Sequence, residues 1–291
     1  MTADIEDIKE FWDINPRGFE VGKDRLLREC FERIERERYL AEWHIPLVAA
    51  FEDYAGKDVL EVGCGIGTDA VNFVKAGARY VGLDISPRAV EIARARFDLY
   101  GLKGEFRTAN SEKLPFPDGS FDHVYSFGVI HHLPDPGAAV REIHRVLRRG
   151  GSFCIMIYHK NSVNYYLEIM FLRKALRALL LPSWGPAFTA FVTGFDKKKL
   201  GKIRDVLIDK KRKITGAEWL SMNTDGPDCP LSRVYTREDA VKMFSAFRDV
   251  TTEVCFFDKR HWSFFGKLVF RDFEKFIGRR WGWHLVVRGR K

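Results

Sequence analysis

The chain has few cysteines, no apolar leader and no apolar run long enough to cross a bilayer. Its five cysteines (Cys30, Cys64, Cys154, Cys229 and Cys255) are odd in number, scattered, and form no C-x-x-C pair. That excludes a disulfide framework and offers no zinc-ligand spacing. The opening residues MTADIEDIKEFWD are acidic and lack an h-region, so no secretory signal is expected and a reducing, cytoplasmic setting is. The stretch YYLEIMFLRKALRALLLPSWGP is interrupted by Glu168, Arg173, Lys174 and Arg177, too charged and too short to span a membrane. Internal repeats and low-complexity tracts are missing, apart from clusters of Lys and Arg. What remains is the composition of a folded chain: 291 residues, 46% hydrophobic, 30% charged and 14% aromatic. That suffices for a domain of about 150–200 residues with additions.

The net charge is +8, and much of it is local. Residues 197–213 (KKKLGKIRDVLIDKKRK) hold nine basic and two acidic residues. Such a segment suits an anionic partner: nucleic acid, anionic lipid or an acidic substrate. A solvated helix face accounts for it equally well.

Four zones follow from periodicity. Residues 1–55 read as an amphipathic helical cap, with Leu27, Cys30, Phe31, Ile34 and Tyr39 near helical spacing. Residues 56–159 alternate strands (VLEVG, YVGLDI, EFRTA, FDHVYSF, SFCIMIY) with helices (DAVNFVKAG, SPRAVEIARARFDLYG, DPGAAVREIHRVLRRGG), the last two helices ending at glycine. That alternation predicts an α/β fold with a parallel sheet covered on both faces. Residues 160–235 form an irregular, basic and apolar insertion. Residues 236–291 return to order, with a helix at TREDAVKMFSAF capped by Thr236 and strands at DVTTEVCFF and WHLVVRG.

The chemistry concentrates at Val59-Leu60-Glu61-Val62-Gly63-Cys64-Gly65-Ile66-Gly67-Thr68. A buried strand enters a glycine-rich turn and then a helix, the arrangement needed where backbone must take positive φ or approach a ligand closely. Asp84 ends the next strand, 19 residues after Gly65. That offset suits a carboxylate accepting from ribose hydroxyls. A dinucleotide turn reads G-x-G-x-x-G because a diphosphate sits on the helix N-terminus. Here the order is G-x-G-x-G, Thr68 holds the sixth position, and Glu61 stands two residues before the first glycine. A carboxylate there opposes a diphosphate and suits a cationic amino-acid tail.

With these pieces the chain resembles the class I S-adenosylmethionine-dependent methyltransferases, in the small-molecule and lipid branch (methyltransferase type 11-like). The resemblance rests on VLEVGCGIGTDA, VGLDIS, TANSEKLPFPDGSFDHVYSFGVIHHL and REIHRVLRRGGSF, in that order. It implies a Rossmann-like doubly wound sheet of seven strands with an antiparallel final strand, S-adenosylmethionine as cofactor, and methyl transfer to a small-molecule or lipid-like acceptor. By the same resemblance, Gly63, Cys64 and Gly65 would carry the cofactor over the backbone and Glu61 would meet its ammonium group. Asp84 would hold the ribose and Ile85 would pack on adenine. The Phe127 carbonyl would meet the ammonium from the fourth strand. The branch sets an Asp in a D-A-x-x-L-P-F segment against the adenine amino group. Here the segment is Asn110-Ser111-Glu112-Lys113-Leu114-Pro115-Phe116, so Asn110 replaces that Asp, and its carbonyl still accepts. The Ser111 N–H would face the adenine ring.

Methyl transfer requires alignment more than acid–base groups. His131, beside His132 after the fourth strand, is a candidate base for a hydroxyl or amine acceptor, and Tyr158 and His159 at the end of the fifth strand are others. No metal site is expected. The N/D-P-P-Y/F motif of enzymes that methylate base or Gln amines is missing after the fourth strand, where Phe127-Gly128-Val129-Ile130 stands. Trp12 and Phe19 in FWDINPRGF could close over the cofactor, residues 160–235 could act as a lid, and Asp225 and Asp228 could enter the site. The polybasic insertion permits peripheral contact with an anionic membrane. Two rivals stay open: an RNA methyltransferase using residues 197–213, and an NAD(P)-dependent oxidoreductase, which an antiparallel strand at 282–288 would contradict.

Overall fold

Seven strands form one sheet: β1 (Asp58–Val62), β2 (Arg79–Asp84), β3 (Glu105–Thr108), β4 (Phe121–Phe127), β5 (Leu147–Tyr158), β6 (Arg248–Cys255) and β7 (His284–Arg290). Their spatial order is β3-β2-β1-β4-β5-β7-β6. The computed structural model describes residues 3–20, 24–193, 196–209, 214–257 and 270–291. Lys210, Lys211, Arg212 and Lys213, the end of the basic segment, lie outside the described residues.

β1 pairs in parallel with β2 and β4, β2 with β3, and β4 with β5. β1, β2 and β4 each feed a helix before the next parallel strand, which is why the apolar runs VLEV and FDHVYSF are buried nearly throughout. β7 runs against β5. The Gly150 N–H donates to the Lys291 carbonyl and the Lys291 N–H to the Gly151 carbonyl, at 3.0 and 2.9 Å. At the other end His159 N–H donates to the Trp283 carbonyl at 2.8 Å. The fold is therefore the expected Rossmann-like sheet with an antiparallel final strand. The reversal sets β7 between β5 and β6.

The helices of this part are α1 (Ile5–Ile14), α2 (Arg28–Ala41), α3 (Ile45–Ala49), α4 (Thr68–Lys75), α5 (Pro87–Tyr100) and α6 (Pro136–Val146). Ser86 caps α5 through its hydroxyl and Gly101 closes it at φ 63°. α6 differs from expectation. It stops at Val146 and not at the Gly150-Gly151 pair, because Leu147 is already extended and begins β5. The polar LRRGG stretch is the solvated start of a long strand.

The chain divides into two compact units, residues 1–157, 237–253 and 285–291 in the first and residues 158–236 and 254–284 in the second. The second unit is largely helical. The stretch YYLEIMFLRKALRALLLPSWGP is a π-helical run at Asn164–Arg173 followed by two short turns of α and 3-10 type. The wider π turn breaks the even apolar stripe: Ile169 is buried while Leu172 and Leu179 are exposed.

His123 of β4 stacks on Tyr54 at 3.8 Å and is hydrogen-bonded through Nδ1 to Ser152 Oγ at 2.8 Å. Burial lowers its pKa to about 3 from 6.5. The unfolded chain thus takes up this proton near pH 6.5 and the native chain only near pH 3. Stability present above that window is lost as pH falls through it, by about 1.4 kcal/mol per pH unit. His123→Gln should flatten the fall by that slope in denaturant titrations from pH 7 to pH 4; an unchanged slope would refute the assignment.

Candidate cofactor site

β1 ends at Val62 and the chain turns through Gly63, Gly65 and Gly67, with φ of 77°, 51° and 73°. A side chain at Gly63 would put its Cβ 2.1 Å from Val129 Cγ2, so this glycine is required by packing. At Gly65 a Cβ would meet nothing within 4 Å, which marks it as the open point of the turn. Ile66, between Gly65 and Gly67, is buried in a cluster with Phe19, Phe31, Ile34 and Ile92. Burial of one such side chain contributes about 1.5–3 kcal/mol and pins the turn from below.

The turn consumes its own donors. Gly63 and Cys64 N–H donate to the Leu83 carbonyl at 2.8 and 2.9 Å, and Gly67 N–H to the Cys64 carbonyl at 3.0 Å. Gly65 N–H donates to Asp84 Oδ2 at 2.8 Å, and Ser86 N–H to Asp84 Oδ1 at 3.0 Å. A diphosphate needs such N–H groups pointing at it. These four point inward.

Asp84 is buried. Desolvation pushes its carboxyl up, opposed by backbone N–H bonds from Ser86, Gly65 and Ile85. Three backbone donors on the carboxylate's four lone pairs leave room for a ligand hydroxyl. Glu61 is buried too and takes a hydrogen bond from Tyr80 Oη. Desolvation and then the charge of Asp69 raise its carboxyl well above the ordinary range, against Tyr80 and Arg38. The Cys64 thiol is raised by burial and by Asp84 and Glu61, so it stays neutral and packs against Gly82.

Other expected residues belong to the first unit. Ile85 is half-buried beside Asp84, and Ser111 is buried. Asn110 Oδ1 already accepts from Glu112 N–H at 2.8 Å, which fixes the amide and leaves one lone pair. Phe127 ends β4, with Arg38 over its ring at 5.8 Å. His131 and His132 form the 3-10 turn Ile130–His132, both buried, their rings 4.2 Å apart. Trp12 meets His132 edge-on at 5.3 Å. Phe19 lies in the apolar cluster that holds Ile66 of the turn, stacked on Phe31 at 6.3 Å.

Tyr158 and His159 belong to the second unit. Tyr158 Oη donates to Asp225 Oδ2 at 2.9 Å and its ring stacks on Trp283 at 4.4 Å. His159 Nδ1 is 3.0 Å from the Gly282 carbonyl. Asp228 is paired with Lys202.

Two features escaped the sequence. Asp13, near the end of α1, accepts from Ser86 Oγ at 2.8 Å and from Arg88 N–H at 2.9 Å, tying α1 to the start of α5. Asp69, in the first turn of α4, accepts from Arg38 Nη2 and Tyr39 Oη at 2.8 Å each and from Tyr125 Oη at 3.1 Å. Burial lowers the Arg38 pKa, but Asp69 and then Glu42 outweigh it and hold the guanidinium charged. Beside it, fully buried Arg96 donates to Thr68 Oγ1 at 2.9 Å and to Glu35 at 2.7 Å. No spacing rule links Arg38 to Asp69; only the acidic residue in a helix's first turn hinted at it.

The profile of a methyltransferase domain matches residues 60–155, from the strand before the glycine turn to the fifth strand. Residues 60–155 are thus similar to a methyltransferase domain. Among relatives, a fatty-acid O-methyltransferase of Mycolicibacterium smegmatis is 40% identical over 107 residues, 36% of this chain and 38% of that protein. A sterol 4-C-methyltransferase of Caenorhabditis elegans is 29% identical over 147 residues, 50% of this chain and 43% of that one. The chain thus spans about two fifths of the length of each. The solved [4+2]-cyclase SpnF superposes with a TM-score of 0.55 at 16% identity, covering 100% of this chain and 97% of that one, which shows the shared fold. The cofactor of a methyltransferase domain of this class is S-adenosylmethionine, and the donor set fits it: carboxylates, an open glycine, and no outward nest of N–H groups among those of the turn described above.

Proposed function

We propose that the protein transfers a methyl group from S-adenosylmethionine to a small-molecule or lipid-like acceptor. The observation that carries this is the glycine turn with its N–H groups bonded inward and Glu61 and Asp84 beside it. That surface offers a diphosphate no N–H donors from these bonded groups and presents acceptor oxygens to ribose hydroxyls and an ammonium group. In this reading Asp84 takes the ribose hydroxyls and Gly65 lets the ligand lie against bare backbone. Ile85 packs on adenine, Asn110 and Ser111 read its edge, and the Phe127 carbonyl with Glu61 faces the ammonium end. His131 is the candidate base, with Tyr158 and His159 as alternatives.

When bound, the cofactor supplies an electrophilic methyl on a sulfonium. The chain's residues have to hold an acceptor lone pair in line with the C–S bond and keep water out. Alignment of that kind accounts for about 7–11 kcal/mol of a barrier. As the new bond forms and the C–S bond breaks, an O–H or N–H acceptor releases a proton, which His131 would take. The relatives that act on a fatty acid and on a sterol support an apolar acceptor. The basic second unit supports peripheral contact with an anionic membrane, and no helix among the described residues is long and apolar enough to cross one. An RNA acceptor has no comparable support here.

Calorimetry with S-adenosylhomocysteine and with NADH, followed by transfer of labelled methyl into fatty-acid, sterol and quinol acceptors, tests the reading. Micromolar or tighter binding of the first ligand alone, about −8 kcal/mol, is expected. His131→Ala should lower the rate about 10²–10⁴-fold for a hydroxyl acceptor and leave S-adenosylhomocysteine affinity unchanged. NADH binding in place of the adenosyl ligand would overturn the assignment.

A further inference from the structure

We infer that the second unit docks on an anionic lipid surface through the helix Gly185–Thr193 and the lysines beside it. The inference deepens the membrane-contact reading and does not depend on methyl transfer, so cofactor affinity is measured separately. The helix sequence GPAFTAFVT contains no charged residue. Its packing is inverted relative to an ordinary surface helix. Gly185, Pro186 and Thr189 face inward, while Trp184, Phe188 and Phe191 are 56%, 48% and 89% exposed. Residues 184, 188 and 191 are spaced four and three apart, so they share one face. An aromatic face without a charge to solvate it is costly in water and suits the headgroup boundary of a bilayer.

The neighbouring helix Lys197–Asp209 has the opposite arrangement. Leu200, Ile203 and Leu207 are buried, and Lys197, Lys198 and Lys199 are exposed at its start. Arg204 Nε donates to the Leu181 carbonyl at 3.0 Å, fixing this helix to the turn that precedes Trp184. Aromatic and cationic faces are therefore built side by side within one unit.

The charge distribution selects the partner. Residues 158–236 and 254–284 carry 21 Lys and Arg against 10 Asp and Glu, whereas the first unit carries 27 against 30. The whole positive excess of the chain resides in the unit that exposes the aromatic helix. A second copy of this chain meeting the same face would set like charges together, which disfavours self-association. The wedge helix itself lacks the cations that a nucleic-acid backbone would require.

Flotation of the full-length protein with vesicles tests this. Vesicles of phosphatidylcholine with about 30% phosphatidylglycerol should carry the protein upward, pure phosphatidylcholine should not, and about 0.5 M salt should release it. Phe188→Asp combined with Phe191→Asp should weaken vesicle binding by about 100-fold or more. Lys197→Glu, Lys198→Glu and Lys199→Glu together should do so by a similar factor. Both sets alter exposed side chains and should keep the melting temperature and S-adenosylhomocysteine affinity of the parent. Absence of flotation on anionic vesicles, or flotation indifferent to the Phe changes, would overturn the inference. So would a dimer that the Phe changes dissolve, or retention of RNA in preference to vesicles.

Discussion

Asp84→Ala should remove S-adenosylhomocysteine binding by at least about 100-fold in calorimetry, the largest loss expected from any single change at the turn. Two effects combine. A hydrogen bond from a ribose hydroxyl to an ionised carboxylate is worth about 1.5–3 kcal/mol. The same carboxylate also accepts from Gly65 N–H and Ser86 N–H, so its removal loosens the open point of the glycine turn. Asp84→Asn keeps one acceptor oxygen and should fall between the two. Because burial raises the Asp84 carboxyl, protonation begins at higher pH than for a free carboxylate. Affinity should therefore decline on acidification before an ordinary Asp would titrate, and the decline should vanish in Asp84→Asn. Unaltered binding in Asp84→Ala, with the variant folded by circular dichroism, would place the ribose elsewhere.

The second large effect is on stability. Asp69→Ala removes the acceptor shared by Arg38, Tyr39 and Tyr125 and leaves the half-buried Arg38 guanidinium with Glu42 at 3.8 Å as its remaining carboxylate among the described residues. Breaking a buried pair from one side costs about 3–5 kcal/mol. For a chain of this size that is a fall of roughly 10 °C in melting temperature. Cofactor affinity should fall with it, since Asp69 lies two residues after Gly67 and holds the first turn of α4. Arg38→Met in the Asp69→Ala background should recover part of the loss, because the stranded charge is then gone. Calorimetric melting of the two single variants and the double one gives the coupling. Strict additivity would show that the ion pair does not organise this region.

The comparison of expected and observed structure separates by type of signal. Apolar runs and glycine stops placed all seven strands, because strand burial on both faces and helix capping are local in sequence. The α6 boundary was misplaced, since Gly150 and Gly151 look like a helix stop until Leu147 is seen to join β5. Phe19 packs in the cluster with Ile66 of the glycine turn, a contact that an aromatic beside Pro16 does not announce. Asp13 was missed, as its partners Ser86 and Arg88 are more than 70 residues away.

What the sequence by itself determined is the strand–turn–helix with its G-x-G-x-G spacing, the acidic end of β2, and the family those pieces resemble. Each depends on backbone conformation within a few residues, which local residue types dictate. Only the tertiary structure decided which donors of the turn remain for a ligand, that Arg38 and Asp69 meet in the core, and that Phe188 and Phe191 face solvent. Those outcomes depend on which distant side chains share a desolvated space, and burial and charge pairing are set by the fold as a whole.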